Sequence, residues 1–322
     1  MAALRRYPAL ALASRAACHG SCLGLILGLT LFSVSSAPAQ PQQPSPTLYS
    51  QATAALLDRV FPSPQVEYLL LDLRSGETLA MRWSHPERAV PVGSLLKPFI
   101  ALAYGQLHST ANSSGSVQRF PVVYCRGKSD GCWRTGGHGS LGLERALADS
   151  CNAYFLNLAA DLTASRQGIV VLDKVSADYG LPAPPEPASP PMLIGVTPQW
   201  RIAPETLARA FERLATQTHS EVASRLLAGM RLAASPGGTA GKIGEHPGGV
   251  LAKTGTAPCL SDPESNSPRC LANGDGLAVL IAPAEHPRLL LLVRQRAITG
   301  ALAAQLAGQM LTQLEDAHDP SR

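Results

Sequence analysis

The sequence predicts an α/β protein: a sheet with helices on both faces, split between the two ends of the chain, with an all-helical subdomain inserted between its halves. Three observations carry this. Strand-like apolar runs lie near the start at Val66–Leu73 and Glu77–Trp83, a second set follows Gly248, and apolar residues recur at helical spacing in between. With 322 residues and 45% hydrophobic content, there is enough apolar surface for one large core or two modest ones, and no internal repeat is visible.

The first 39 residues carry Arg5, Arg6 and Arg15 without an acid. An apolar run from Leu23 to Val34 follows, and then Ala37-Pro38-Ala39. This is the order of an export signal with its small-residue cleavage site, and a short membrane anchor is the alternative. Either reading puts the rest of the chain outside the cytoplasm. Removing residues 1–39 lowers the formal charge from +4 to +1, so the basic balance does not point to nucleic acid.

Residues 40–48 (QPQQPSPTL) are rich in Pro and Gln and read as a linker. The folded domain is expected over 49–316, with 317–322 as a tail. The short stretch between signal and domain is expected to leave no room for a glycosyltransferase or pedestal module.

Val66–Leu73 and Glu77–Trp83, joined at Ser75-Gly76, read as a hairpin. From Ser94 to Gln106 the apolar residues Leu95, Leu96, Phe99, Ile100, Leu102 and Ala103 mark a buried helix. Pro98 fits its first turn. Leu141–Leu162, Pro204–Leu214 and Glu221–Leu232 read as further helices, and Pro182–Pro191 as a Pro-rich loop. Val250–Lys253, Leu277–Ala282 and Leu289–Val293 read as strands, and Gly300–Leu314 as a closing helix.

Beyond the signal lie Cys125, Cys132, Cys151, Cys259 and Cys270. In an oxidising compartment the pairs that close short loops are Cys125 with Cys132 and Cys259 with Cys270, leaving Cys151 over; free buried thiols are the alternative. No Cys and His cluster has the linear spacing of a zinc motif, so neither a metal nor another cofactor is expected.

Three short motifs bear chemistry: Ser94-Leu95-Leu96-Lys97, Ser150-Cys151-Asn152, and Lys253-Thr254-Gly255-Thr256. Only five lysines occur in the chain, and two of them complete the first and third motifs. Residues three apart on a helix share a face, so the Lys97 amine can reach the Ser94 hydroxyl. A serine needs such a base, and a lysine shielded from water beside a second cation, here Lys253, becomes one.

Each motif also has a bland reading. Ser94 could be a helix cap, Ser150 and Asn152 could bond backbone, and Lys253 could guard a strand edge. Against this, the polar trio Ser150-Cys151-Asn152 interrupts the otherwise apolar segment Ala146–Phe155, which costs stability unless it faces a cleft.

With these three motifs in this order, the chain resembles the transpeptidase domain of penicillin-binding proteins, within the serine DD-peptidase or penicillin-recognising enzymes. The resemblance extends to Leu69–Ala80, His138–Phe155, Gly195–Phe211 and Gly238-Thr239-Ala240, and so covers residues 60–312. It implies a beta-lactamase/transpeptidase-like fold and a D-Ala-D-Ala transpeptidase or carboxypeptidase with Ser94 as nucleophile, Lys97 as base and Ser150 as proton relay. It further implies that Asn152 holds the substrate backbone and that Lys253, Thr254, Gly255 and Thr256 form the wall binding its terminal carboxylate. The backbone N–H groups of Ser94 and Thr256 would form the oxyanion hole.

The implied partners are peptidoglycan stem peptides, beta-lactams as covalent inhibitors, proteins of the cell-wall machinery, and the membrane if the N-terminal segment is an anchor. A beta-lactamase of the same fold and a non-turnover penicillin-binding sensor remain as alternatives. No segment resembles the Glu-bearing loop of class A beta-lactamases, Asn152 stands where class D enzymes carry an apolar residue, and no membrane signalling segment is expected after the domain.

Overall fold

The computed structural model describes residues 47–112, 115–216, 220–258 and 274–317. The export segment, the linker up to residue 46, Cys259, Cys270 and the tail from residue 318 lie outside these. Among the described residues, no helix is long and apolar enough to cross a membrane.

The described chain starts inside the expected linker. Helix α1, Leu48–Val60, is capped by Thr47, whose hydroxyl accepts from the Ser50 N–H at 3.2 Å. Its polar residues masked it in the sequence. Asp58 fastens it to the sheet, accepting from Tyr68 Oη at 2.6 Å and from Arg82 Nη1 at 3.0 Å. Strands β1 (Val66–Asp72) and β2 (Thr78–Arg82) form the expected hairpin, its turn closed by Asp72 Oδ1 accepting from the Arg74 N–H at 2.7 Å.

After the short strand β3 (Val90–Pro91) comes a 3-10 turn at Gly93–Leu96 and helix α2 (Lys97–Leu107). A ribbon of β4 (Ser109–Asn112) and β5 (Gly115–Gln118) precedes a second ribbon of β6 (Val123–Cys125) and β7 (Gly139–Leu141). Helices α3 (Leu143–Ala148), α4 (Asn152–Thr163), α5 (Arg166–Asp178) and α6 (Pro190–Leu193) continue the inserted region. The expected single helix over Leu141–Leu162 is broken at residues 149–151, because Ser150 takes a left-handed φ of 50° and Cys151 an extended conformation. Strand β8 (Arg201–Ile202) pairs with β3, followed by α7 (Pro204–Thr216) and α8 (Glu221–Ala234).

The chain returns to the sheet with β9 (Leu251–Ala257), β10 (Asp275–Ala282) and β11 (Leu289–Gln295), and closes with α9 (Gly300–Ala317). The sheet order is β2-β1-β11-β10-β9, antiparallel throughout. Strand β1 sits beside β11 with Leu69 opposite Leu292, so the two ends of the domain meet at the centre of the sheet.

Both faces of that sheet are covered. Leu69, Leu71, Val279 and Leu292 pack with Phe99 and Phe155 of the inserted helices, while Tyr68, Leu70, Ala278 and Leu291 pack with Ala303 and Met310 of α9. Burial on both faces explains why β1 reads as a nearly continuous apolar run rather than an alternation. At one end of the sheet a buried ion cluster ties three strands: Arg294 of β11 bonds Glu67 of β1 at 3.0 Å and Asp275 of β10 at 3.1 Å.

Candidate active site

Ser94 lies in the 3-10 turn and Lys97 begins α2, one turn on, with the Lys97 N–H donating to the Ser94 carbonyl. The turn is pressed onto β9. Gly93 has a φ of 57°, and a Cβ there would stand 2.7 Å from the Thr256 carbonyl oxygen. Gly255 is confined on both sides: its own Cβ would meet the Val92 carbonyl at 2.7 Å, while one on Gly300 would meet the Gly255 carbonyl at 2.4 Å. Glycine at 93 and 255 is therefore what lets Ser94 approach the third motif.

The break between α3 and α4 brings the second motif to the same place. Lys97 Nζ, wholly buried, donates to the Ser150 carbonyl at 2.7 Å, to Asn152 Oδ1 at 2.7 Å and to Ser150 Oγ at 3.3 Å. Asn152 Nδ2 in turn donates to the Gly131 carbonyl at 3.1 Å. The positive φ of Ser150 is strain of the kind found where the surroundings fix a side chain for use.

Lys253 of β9 approaches from the other side, also with no exposure, and donates to Ser150 Oγ at 2.9 Å and to the Thr254 carbonyl at 2.7 Å. The Ser150 hydroxyl thus lies between the two lysines of the first and third motifs. Burial brings the Lys97 amine down to about 7, against an opposing pull from Cys151 and Cys132. Burial, and then the charge of Lys97, push Lys253 well below the usual lysine range.

Thr254 Oγ1 donates to Thr239 Oγ1 at 2.9 Å, and Thr239 donates through its own hydroxyl to the Ala148 carbonyl at 3.0 Å. Thr239 therefore links the third motif to the segment before the second. Its signal was the Gly238-Thr239-Ala240 tripeptide, which carries the resemblance without indicating a role. Thr256 Oγ1 accepts from the Gly300 N–H at 2.9 Å, which leaves its own proton to donate.

Lys97, Ser150, Asn152 and Lys253 therefore form one hydrogen-bonded group, Thr254 joins it through its carbonyl, which accepts from Lys253, and backbone packing sets Ser94, Gly255 and Thr256 alongside. Among the described residues no hydrogen bond joins the Ser94 side chain to Lys97, whose bonds go to the second motif. Such contacts are commonly loose before a substrate arrives.

The cysteines depart from expectation. Cys125, Cys132 and Cys151 are buried free thiols, so the expected Cys125–Cys132 disulfide does not form. The β6–β7 ribbon turns both side chains toward His138 instead: Cys125 Sγ is 3.6 Å and Cys132 Sγ 3.4 Å from its Nδ1. Cys132 Sγ is 3.8 Å from Cys151 Sγ, far beyond a covalent S–S distance of about 2.05 Å. Linear spacing hid this group, since its members come from a ribbon and a helix start.

No family model matches the chain, and no curated protein matches its sequence. Solved structures do. The transpeptidase (TP) domain of Burkholderia pseudomallei penicillin-binding protein 3 is similar with a TM-score of 0.60 at 16% identity, over 84% of this chain and 94% of that one. Pseudomonas aeruginosa PBP2 is similar with a TM-score of 0.60 at 18% identity, over 84% and 77%. Helicobacter pylori PBP2, solved in complex with MreC, is similar with a TM-score of 0.64 at 14% identity, over 83% and 63%. The α/β fold expected from the sequence is thus the fold of penicillin-binding protein transpeptidase domains.

Proposed function

We propose that the protein is a serine acyl-transferase acting on D-Ala-D-Ala peptidoglycan stems, and that beta-lactams acylate it at Ser94. The observation that carries this reading is the Ser150 hydroxyl held between two wholly buried lysines, 2.9 Å from Lys253 and 3.3 Å from Lys97, beside the turn that bears Ser94.

Ser94 Oγ attacks the penultimate D-Ala carbonyl while Lys97, neutral in part near pH 7 because it is buried, takes the hydroxyl proton. The backbone N–H groups of Ser94 and Thr256 stabilise the oxyanion, a role commonly worth about 3 kcal/mol. The C–N bond to the terminal D-Ala then breaks. Its amine receives a proton through Ser150, whose hydroxyl already accepts from Lys253. Lys253, Thr254 and Thr256 hold the terminal carboxylate, and Asn152 the stem backbone.

Attack on the acyl-enzyme by a neighbouring stem's amine gives a cross-link, and attack by water gives a trimmed stem. The N-terminal segment directs the domain at residues 49–316, extended by α1 to include Leu48, to the outer side of the membrane. There it would meet peptidoglycan and partners of the cell-wall machinery.

The test is incubation with a labelled penicillin, followed by stem peptides with and without an acceptor amine, the products identified by mass. One label per wild-type chain, none on Ser94→Ala, and stem products lacking the terminal D-Ala are expected. Labelling that survives Ser94→Ala would overturn the assignment, and rapid repeated turnover of a chromogenic cephalosporin would favour a beta-lactamase.

A further inference from the structure

The Cys125, Cys132, His138 and Cys151 group stands apart from the acyl-transfer chemistry, yet its last member lies between two residues of that chemistry. All four ligand atoms lie within 4.8 Å of one another. A tetrahedral zinc with Zn–S of about 2.3 Å and Zn–N of about 2.05 Å requires edges of about 3.8 Å between sulfurs and about 3.6 Å between sulfur and nitrogen. Three of the six edges, at 3.8, 3.6 and 3.4 Å, match these values within a few tenths of an ångström, and the others are within 4.8 Å.

The local backbone supports the same assignment. Backbone N–H groups of Arg134 and Asn152 are directed at the Cys132 sulfur and that of Tyr154 at the Cys151 sulfur, the kind of outer contact that orients metal-binding sulfurs. The loop between Cys125 and His138 is a tight knuckle with little apolar content. A Cβ on Gly127 would lie 2.1 Å from the Thr135 carbonyl, and one on Gly137 2.1 Å from the Cys125 carbonyl. The His138 N–H donates to the Cys125 carbonyl at 3.2 Å and the Cys132 N–H to the Gly127 carbonyl at 3.0 Å. A segment this polar gains little from burial, and a metal would supply the missing cross-link.

We propose that Cys125, Cys132, His138 and Cys151 bind one structural zinc ion that anchors the Ser150–Asn152 segment against the β6–β7 knuckle. All four positions are filled by protein, so the ion has no open site for substrate and acts by position. Cys151 caps α4 between Ser150 and Asn152, both bonded to Lys97, and Asn152 is also bonded to Gly131 within the knuckle. The ion would thus fix the two side chains that flank Cys151. Binding releases the protons of three thiols and oxidises nothing.

The experiment measures zinc by mass spectrometry in the full chain purified without added metal. It then strips the ion with a chelator and titrates the apo-protein with Co(II). One zinc per chain, a thiolate-to-cobalt absorption band with tetrahedral d–d bands, and loss of about half or more of the metal in Cys132→Ser are expected. Ser94→Ala should keep its full zinc, which separates this proposal from the catalytic one. Cys259→Ser should also keep it, which separates the cluster from the remaining cysteines. If Cys132→Ser does not fold, the cobalt spectrum of the wild type decides alone. Metal-free protein with a Cys125–Cys132 or Cys132–Cys151 disulfide in its peptide map, or an apo-protein that takes up cobalt without a thiolate band, would overturn it.

Discussion

Lys253 Nζ donates to Ser150 Oγ at 2.9 Å across 103 residues of sequence, and this bond joins the sheet to the inserted helices at the proposed reaction centre. Both partners are buried, and the lysine reaches the hydroxyl from an edge strand whose neighbour on the open side is the Ser94 turn.

Replacing Ser150 by Ala removes the hydroxyl that both lysines approach and leaves the backbone in place. Acylation of Ser94 by a labelled penicillin should slow by about 100-fold or more, the usual scale for loss of a positioned proton carrier. Stopped-flow labelling measures it. An unchanged acylation rate in a folded variant would remove Ser150 from the proton path.

Gly255→Ala places a methyl against the Val92 carbonyl at 2.7 Å, and neither flank of β9 can withdraw because Gly300 closes the other side. The turn bearing Ser94 must shift, at a cost of about 1–3 kcal/mol for overpacking. A lower midpoint in urea together with slower penicillin labelling is expected, and labelling at the wild-type rate would contradict the close approach.

Arg294 neutralises Glu67 and Asp275 within the sheet. Arg294→Met fills similar space but leaves two buried carboxylates without their shared cation, which should cost about 3–5 kcal/mol. Chemical denaturation reads this directly. The triple variant with Glu67→Gln and Asp275→Asn should recover part of the loss.

His246 Nδ1 lies 2.9 Å from Glu315 Oε2, with the histidine side chain wholly buried. Burial alone would lower its pKa, but the hydrogen bond and charge of Glu315, with a further bond to the Ile243 carbonyl, outweigh it and the net shift is upward. A pKa raised on folding stabilises fully below the unfolded value of about 6.5, and the contribution fades as pH rises through the folded value. The melting temperature of the wild type should therefore fall between pH 6 and 8 relative to Glu315→Gln, and parallel profiles would refute the pairing.

Much of this arrangement is legible in the sequence. The hairpin at Val66, the returning strands after Gly248 and the helices from Pro204 and Glu221 follow from periodicity. Single chemical types at short spacing mark Ser94 with Lys97, and Ser150 with Asn152. What escaped was set by contacts distant in sequence: α1 is fastened by Asp58 to Tyr68 and Arg82 rather than by a strong apolar stripe, and the break before α4 depends on the strained Ser150.

By itself the sequence determined which groups are available, because residue type, hydrophobic period and three short motifs are local properties of the chain. Only tertiary structure decided which groups share a hydroxyl and which sulfurs share a histidine. Those distances depend on how a β-ribbon, a broken helix and an edge strand pack. Cys125 and Cys132 are neighbours along the chain that do not bond, while Cys151, which the sequence left over, completes a cluster with them.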